Sequence, residues 1–199
     1  MKENVPDRIP TREECDALMA QYAMLPNIMA HSRQVMRVSL AIADHLQSGV
    51  SVNRDLVVAA ALLHDITKTR SLETHERHDA SGGALLREMG FARTAEIVEQ
   101  HVLLRDVDLD GGLEEREIVC YADKRVRHDT VVTLEERIQD LIARYGDSEE
   151  IRRLIRVNSG QIFALKITTL VASPSSGYPG GIATWIAVND VNGAPLPGI

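Results

Sequence analysis

The chain has 199 residues, of which 44% are hydrophobic and 26% charged, a composition typical of a globular protein. Its net charge is −7, and it has no cluster of lysine and arginine residues. This argues against bulk nucleic acid as a partner, because phosphate backbones require a basic surface. The first residues lack the apolar run of a signal peptide, and no segment reaches the roughly 18 consecutive apolar residues of a membrane-spanning helix. We therefore expect a cytoplasmic protein that has no membrane partner and contains two reduced cysteines, Cys15 and Cys120.

The first three predicted helices have recognisable starts. Thr11 and Glu14 form a capping-box pattern, which predicts a short helix to about Tyr22. Pro26 is at a position where helix starts tolerate proline, and apolar residues recur at helical spacing from there to about residue 46. Asn53 can cap the next helix, which is apolar nearly all round and therefore predicted to be central.

The middle of the chain alternates between polar and periodic segments. Residues 65–77 are predicted to form a loop, and helices are predicted over 78–89, closed by Gly90, and over about 93–101. An acidic connection over 102–113 precedes a helix that begins near Glu114 and passes through Asp123.

Two further capping patterns follow, Thr133 with Glu136 and Asp147 with Glu150. About seven helices joined by short links predict an all-α domain, a helical bundle. The composition then changes: residues 158–199 contain two charged residues, six glycines and four prolines. We divide the chain into a domain over 1–157 and a tail over 158–199. The tail is expected to extend the last helix or begin a strand over 162–171, and then to be irregular or to turn a hairpin at SSGYPGG.

Five of the predicted helices carry an ionisable residue on their apolar face. These residues are His31, His64, His78, His101 and Asp123. Each follows or precedes apolar residues by three, four or seven positions, which places it on the buried side. Burying one carboxylate or imidazole without a partner costs several kcal/mol, and repeating that cost around one small core is improbable. A shared cation removes the difficulty, because neutral imidazoles and carboxylates are common metal ligands.

Asp65 directly follows His64, and neighbours on a regular helix point about 100° apart. At the end of a helix, however, adjacent side chains can converge on one metal or bridge two. Asp65 is therefore the best candidate for a bridging ligand.

These residues also carry a family resemblance. The ordered set His31, His64-Asp65 and Asp123, with LLHDITK around the doublet and YADKRV around the last aspartate, resembles the HD-domain superfamily of metal-dependent phosphohydrolases. The resemblance covers about residues 26–145. His78 and His101 correspond to the two further histidines of the binuclear subgroup, and HDITK is similar to the bacterial HDIG type, although Thr67 stands where many members have glycine.

The resemblance implies hydrolysis of a phosphoester or phosphoanhydride bond in a small nucleotide-like substrate. Two divalent transition metals (iron, manganese, cobalt, nickel or zinc) would activate the attacking water, with Asp65 as the bridge. Lys68 resembles the lysine of HDIGK and would hold a phosphate oxygen; its alternative is a solvated loop lysine. Arg33, Lys124 and Arg127 lie within one turn of ligand positions and are further candidates for binding substrate, with surface charge as the alternative. His75 could replace His78 as a ligand.

A second motif in the chain suggests a different kind of metal site. Residues 106–117 satisfy the EF-hand pattern D-x-D-x-D-G-x5-E, in which Glu117 would be the last calcium ligand. EF-hands usually pair and this chain has one copy, so an acidic solvated loop is the main expectation and a calcium-binding module the minor alternative. A third interpretation is a non-catalytic HD sensor that binds metal or nucleotide. The sequence does not determine the oligomeric state.

Overall fold

A computed structural model describes residues 7–108 and 111–158, and the statements below concern these residues. They form nine α-helices and one small hairpin. The first five helices are α1 (Arg12–Gln21), α2 (Pro26–Asp44), α3 (Arg54–Leu63), α4 (Lys68–Thr74) and α5 (His78–Glu88). The remaining elements are α6 (Ala92–Val98), α7 (Glu115–Lys124), β1 (Val126–Arg127), β2 (Thr130–Val131), α8 (Leu134–Tyr145) and α9 (Glu149–Asn158). The prediction of an all-α bundle is confirmed. The predicted tail beyond Asn158 lies outside the described residues.

Several of the helices begin where a side chain satisfies one of the first free backbone N–H groups. Thr11 and Thr133 cap α1 and α8 through complete capping boxes with Glu14 and Glu136, as predicted. Asn53 caps α3 by accepting a hydrogen bond from the N–H of Leu56.

The start of α9 differs from the prediction by one residue. The Oγ of Ser148, rather than the side chain of Asp147, accepts the hydrogen bond from the N–H of Ile151. Two helices also end earlier than predicted, α2 at Asp44 and α6 at Val98. His101 therefore lies in the connection that follows α6.

Two elements were not anticipated. The predicted loop over 65–77 contains α4, and this prediction was wrong because α4 buries none of its residues and so has no apolar stripe to reveal it. The hairpin between α7 and α8 pairs Val126 with Val131 in antiparallel register. His128, in its turn, has φ of +59°.

The core is built around α3. Seven of its ten residues are buried, and it packs against α1, α2, α6 and α7. The all-round apolar pattern predicted this central position. None of the described helices is both long and apolar enough to cross a membrane.

Candidate metal centre

The six predicted ligand residues meet at the ends and inner faces of the helices around α3. His31 lies in α2 and Asp123 in α7, whereas His64 and Asp65 directly follow α3. His78 is the first residue of α5, and His101 follows α6. Neighbouring imidazoles lie edge to face or tilted, with ring centroids 5.3 Å apart for His31 and His64, 5.0 Å for His64 and His101, and 5.1 Å for His78 and His101.

Asp65 lies close to three histidines of this cluster, and its two oxygens face different ones. Its Oδ1 lies 3.3 Å from Nε2 of His78 and 3.6 Å from Nε2 of His101. Its Oδ2 lies 3.5 Å from Nε2 of His64. Asp65 therefore belongs to two groups of potential ligands, one with His31 and His64 and one with His78 and His101, and within each group the ligand atoms lie within 4.8 Å of one another.

Asp123 completes the side of the cluster that contains His31. Its Oδ1 lies 3.0 Å from Nε2 of His31 and 3.8 Å from Nε2 of His64. Its Oδ2 accepts a hydrogen bond from Nζ of Lys124 at 2.7 Å. One oxygen thus faces the histidines and the other is held by a buried ammonium group.

Backbone carbonyls orient three of the four imidazoles. The Nδ1 of His31, His64 and His101 lies 2.8, 2.8 and 2.7 Å from the carbonyl oxygens of His128, Ala61 and Val98, respectively. A carbonyl can only accept, so each Nδ1 carries a proton. In the neutral imidazole the lone pair is then on Nε2, the atom that faces the cluster. Hydrogen bonds of this kind fix the tautomer of metal-ligating histidines.

Two polar atoms inside the cluster have no hydrogen-bond partner. They are Nε2 of His64 and Oδ1 of Asp65, and both residues are almost completely buried. Leaving such atoms unpaired is costly, and a divalent cation bound between them would satisfy both. The residues present therefore fit a metal.

The electrostatics keep the carboxylates charged and one imidazole neutral. Burial raises the pKa of Asp65, but the ammonium group of Lys68 opposes this effect, and the pKa lies well below the ordinary value. Burial likewise opposes ionisation of Asp123, but the ammonium group of Lys124 brings its pKa well below the ordinary value. Burial lowers the pKa of His101 to about 4. Anionic carboxylates and neutral imidazoles are the protonation states that metal binding requires.

A sequence profile of the HD domain matches residues 28–145, more than half of the chain. The chain belongs to the HD domain family. Membership indicates a metal-dependent hydrolase, and His64 and Asp65 lie within the matched range.

One curated relative is a tRNA (cytidine(56)-2'-O)-methyltransferase from Picrophilus torridus, which is 28% identical over 143 residues. The alignment covers 64% of this chain but only 40% of that protein. The chain therefore spans less than half of the length of this relative. No solved structure matches the chain significantly.

Thr67, which departs from the HDIG pattern, has a structural role in this HD domain. Its hydroxyl donates a hydrogen bond to the carbonyl of His78 at 2.9 Å and accepts one from Oγ of Ser81 at 2.9 Å. Thr67 thereby ties the segment that carries Asp65 to the first turn of α5. A glycine could not make these contacts.

Asp79 was missed by sequence reasoning. It is buried beside His78, and Arg77 donates to both of its oxygens, at 3.2 and 2.6 Å. Burial raises the pKa of Asp79, but the hydrogen bonds from Arg77 outweigh it, and the pKa is lowered overall. Arg77 and Asp79 lie two residues apart at the start of a helix, and this spacing does not predict that they form an ion pair. His75, the alternative to His78, is exposed and lies outside the two ligand groups.

A cleft opens beside the cluster. His31 and Asp65 line it together with Lys68, His128, Arg137 and Arg144. Nζ of Lys68 lies 3.0 Å from Oδ2 of Asp65, and its predicted contact with phosphate stays a prediction. Arg137 and Arg144 were not predicted, because they lie on α8, away from every ligand in the sequence. Their only signal was the seven-residue spacing that puts both on one face of a helix.

The other three predicted substrate-binding residues do not line this cleft. Arg33 pairs with Asp16 of α1 at 2.9 Å, and its side chain is 43% exposed. Arg127 is exposed in β1. Lys124 is only 7% exposed and donates to Asp123 and to the carbonyl of His101. The role of these three residues in substrate binding stays a prediction, because proximity along a helix does not determine which side of the bundle a long side chain reaches.

The acidic segment over 106–117 uses its last carboxylate for helix capping. Glu117 is buried and accepts a hydrogen bond from the N–H of Glu114 in the capping box of α7. Arg116 donates to the carbonyls of Arg105 and Asp106, which ties the loop to α7. Residues 109 and 110 of the EF-hand pattern lie outside the described residues. Calcium binding stays a prediction, and the use of Glu117 as a cap counts against it.

Proposed function

We propose that this HD domain is a binuclear metal-dependent phosphohydrolase that cleaves a phosphoester or phosphoanhydride bond of a small nucleotide-like substrate. The observation that carries the proposal is the position of Asp65, whose Oδ2 faces Nε2 of His64 and whose Oδ1 faces Nε2 of both His78 and His101. In the proposal, His31, His64, Asp65 and Asp123 would hold one metal. Asp65, His78 and His101 would hold a second.

The bound cations, drawn from iron, manganese, cobalt, nickel or zinc, would act as Lewis acids on water and on the phosphoryl oxygens. The chain's own groups have distinct tasks around them. Three backbone carbonyls hold the imidazoles of His31, His64 and His101 in the tautomer that presents Nε2. Lys124 keeps Asp123 ionised and in place. Both tasks orient ligands before substrate arrives, which lowers the reorganisation needed during the reaction.

Lys68 is the candidate for direct contact with substrate. Its ammonium group lines the cleft at hydrogen-bond distance from Asp65. A phosphate oxygen near the cluster would be within reach of the same ammonium, which can donate three hydrogen bonds. We assign Lys68 to phosphate binding and to stabilising negative charge in the transition state.

The proposal is tested by metal analysis combined with a turnover screen. The chelator-stripped protein is reconstituted with each candidate metal, and metal per chain is measured by mass spectrometry. Each form is then assayed with nucleotides, dinucleoside polyphosphates and cyclic dinucleotides. We expect two transition metals per chain and metal-dependent release of a phosphorylated product.

Asp65→Ala is the matched control, and we expect it to lose both metal and turnover. Two bound metals without turnover of any phosphorylated substrate would instead support the HD sensor. Methyl transfer to tRNA, the activity in the name of the Picrophilus protein, is not part of the proposal, because the alignment covers less than half of that protein.

A further inference from the structure

Two arginines of α8 share one carboxylate beside the cluster. The NH1 group of Arg137 lies 2.8 Å from Oδ2 of Asp140, and Nε of Arg144 lies 3.0 Å from Oδ1 of the same residue. The three residues are spaced by three and four positions, so they lie on one face of the helix. Two guanidinium groups around one carboxylate leave one positive charge in excess on this face.

Arg137 is also incompletely satisfied. It is 8% exposed, and its Nε is buried without a hydrogen-bond partner. Arginine presents five donors in a planar fork, and a buried donor without an acceptor costs free energy. The other cation of the cleft, Lys68, already pairs with Asp65. The excess positive charge of the cleft therefore resides on the arginine pair.

His128 connects this pair to the cluster. Its carbonyl oxygen accepts the Nδ1–H of His31 at 2.8 Å, and its Nε2 lies 3.1 Å from NH2 of Arg144. One residue thus touches a proposed metal ligand through its backbone and an α8 arginine through its ring. An anion bound to Arg144 would therefore be separated from His31 of the cluster by a single residue, His128.

We propose that Arg137 and Arg144 form a second phosphate subsite, so that the substrate carries at least two linked phosphoryl groups. This inference rests on the proposed function: the scissile phosphoryl group lies at the cluster, and a neighbouring one lies on α8. Guanidinium groups bind phosphate oxygens in a bidentate manner and stay charged at all relevant pH values. The subsite selects phosphoanhydride substrates, such as nucleoside or dinucleoside polyphosphates, over substrates with a single phosphate.

The kinetic test compares two substrates in Arg144→Gln. Arg144 is suitable because its side chain is 40% exposed, so the variant is expected to fold. The manganese-loaded wild type and variant are assayed with a dinucleoside tetraphosphate and with bis(p-nitrophenyl) phosphate, which has one phosphate. For each protein, kcat/KM for the tetraphosphate is divided by kcat/KM for the monophosphate substrate. We expect this ratio to be about tenfold lower in Arg144→Gln, because a charge-assisted hydrogen bond is lost. The decrease should come mainly from a higher KM for the tetraphosphate. An unchanged ratio would overturn the subsite and leave the proposed hydrolase intact.

The binding test does not depend on turnover. Inorganic tripolyphosphate and orthophosphate are titrated calorimetrically into the metal-free wild type, Arg144→Gln and Arg87→Gln. Arg87 is the matched control, because it is an arginine in an ion pair, with Glu99, and does not line the cleft. We expect Arg144→Gln to weaken tripolyphosphate binding about tenfold and Arg87→Gln to leave it unchanged. Equal tripolyphosphate affinity in all three proteins would overturn the subsite, even if the wild type hydrolyses none of the substrates.

Discussion

The imidazole of His31 donates its Nδ1–H to the backbone carbonyl of His128, 97 residues further along the chain, at 2.8 Å. His128 has φ of +59°, in the left-handed region, and lies in the turn between β1 and β2. The orientation of one proposed metal ligand therefore depends on a strained turn in a distant part of the sequence.

The first prediction concerns this turn. His128→Val should lower metal affinity about tenfold, because β-branched residues tolerate the left-handed region poorly and a displaced carbonyl no longer orients His31. His128→Gly removes the same ring but favours the observed φ, so its affinity should stay close to that of the wild type. Competitive titration with a metal chelator measures both values. Equal losses in the two variants would show that the carbonyl does not orient His31.

The second prediction separates metal binding from substrate binding. Lys68→Ala should keep both metals and lower kcat/KM about ten- to a hundredfold, because it removes a charge-assisted contact to phosphate but no proposed ligand. The matched control is Arg70→Ala, which removes an exposed cation of the same helix that pairs with Glu76 instead. Metal content and kinetics are measured on the same preparations. Loss of metal in Lys68→Ala would show that the lysine maintains the cluster by holding Asp65.

The third prediction concerns metal count. The double change His78→Ala and His101→Ala should leave one metal per chain and abolish most turnover, because the second group of ligands loses both of its imidazoles. His75→Ala is the control, since this exposed histidine lies only three residues before His78. Metal content and turnover are assayed with metal in excess. Full activity and an unchanged metal count in the double variant would mean that the site is mononuclear.

The fourth prediction concerns stability at acid pH. The Arg8 guanidinium and the N–H of Thr11 lower the pKa of Glu14 from 4.5 to about 2. A carboxyl whose pKa is lower in the folded state stabilises the fold above its unfolded pKa, and this contribution is lost as pH falls from about 4.5 to about 2. Glu14→Gln should therefore flatten the pH dependence of the free energy of unfolding in this range. Denaturant unfolding at a series of pH values tests this, with Glu13→Gln as the control from the same helical turn.

Much of the fold could be predicted because its signals are local. A capping box needs four consecutive residues, and those at Thr11 and Thr133 were found in the sequence and confirmed by the structure. The central position of α3 followed from a run of apolar residues longer than one turn. Helix α4 could not be predicted in the same way, because it buries no residue.

The convergence of the six ionisable residues could also be anticipated from the sequence. Helical periodicity shows which side chains face inward, and the cost of burying unpaired charge implies that inward-facing charges meet. The placement of His31 and Asp123 with Nε2 and Oδ1 3.0 Å apart agrees with that reasoning. Their role as metal ligands stays a proposal.

Which residues line the cleft depends on the tertiary structure alone. Arg33 and Arg127, chosen because they are near ligands in the sequence, do not line it, whereas Arg137 and Arg144 do. The partner of a long charged side chain depends on how whole helices pack, and that packing is the sum of many weak non-local contacts. The same holds for the carbonyl of His128 beside His31, which depends on a turn that the sequence did not reveal. The sequence by itself determined which groups face inward, because periodicity is local, and only the assembled bundle determined which groups surround them.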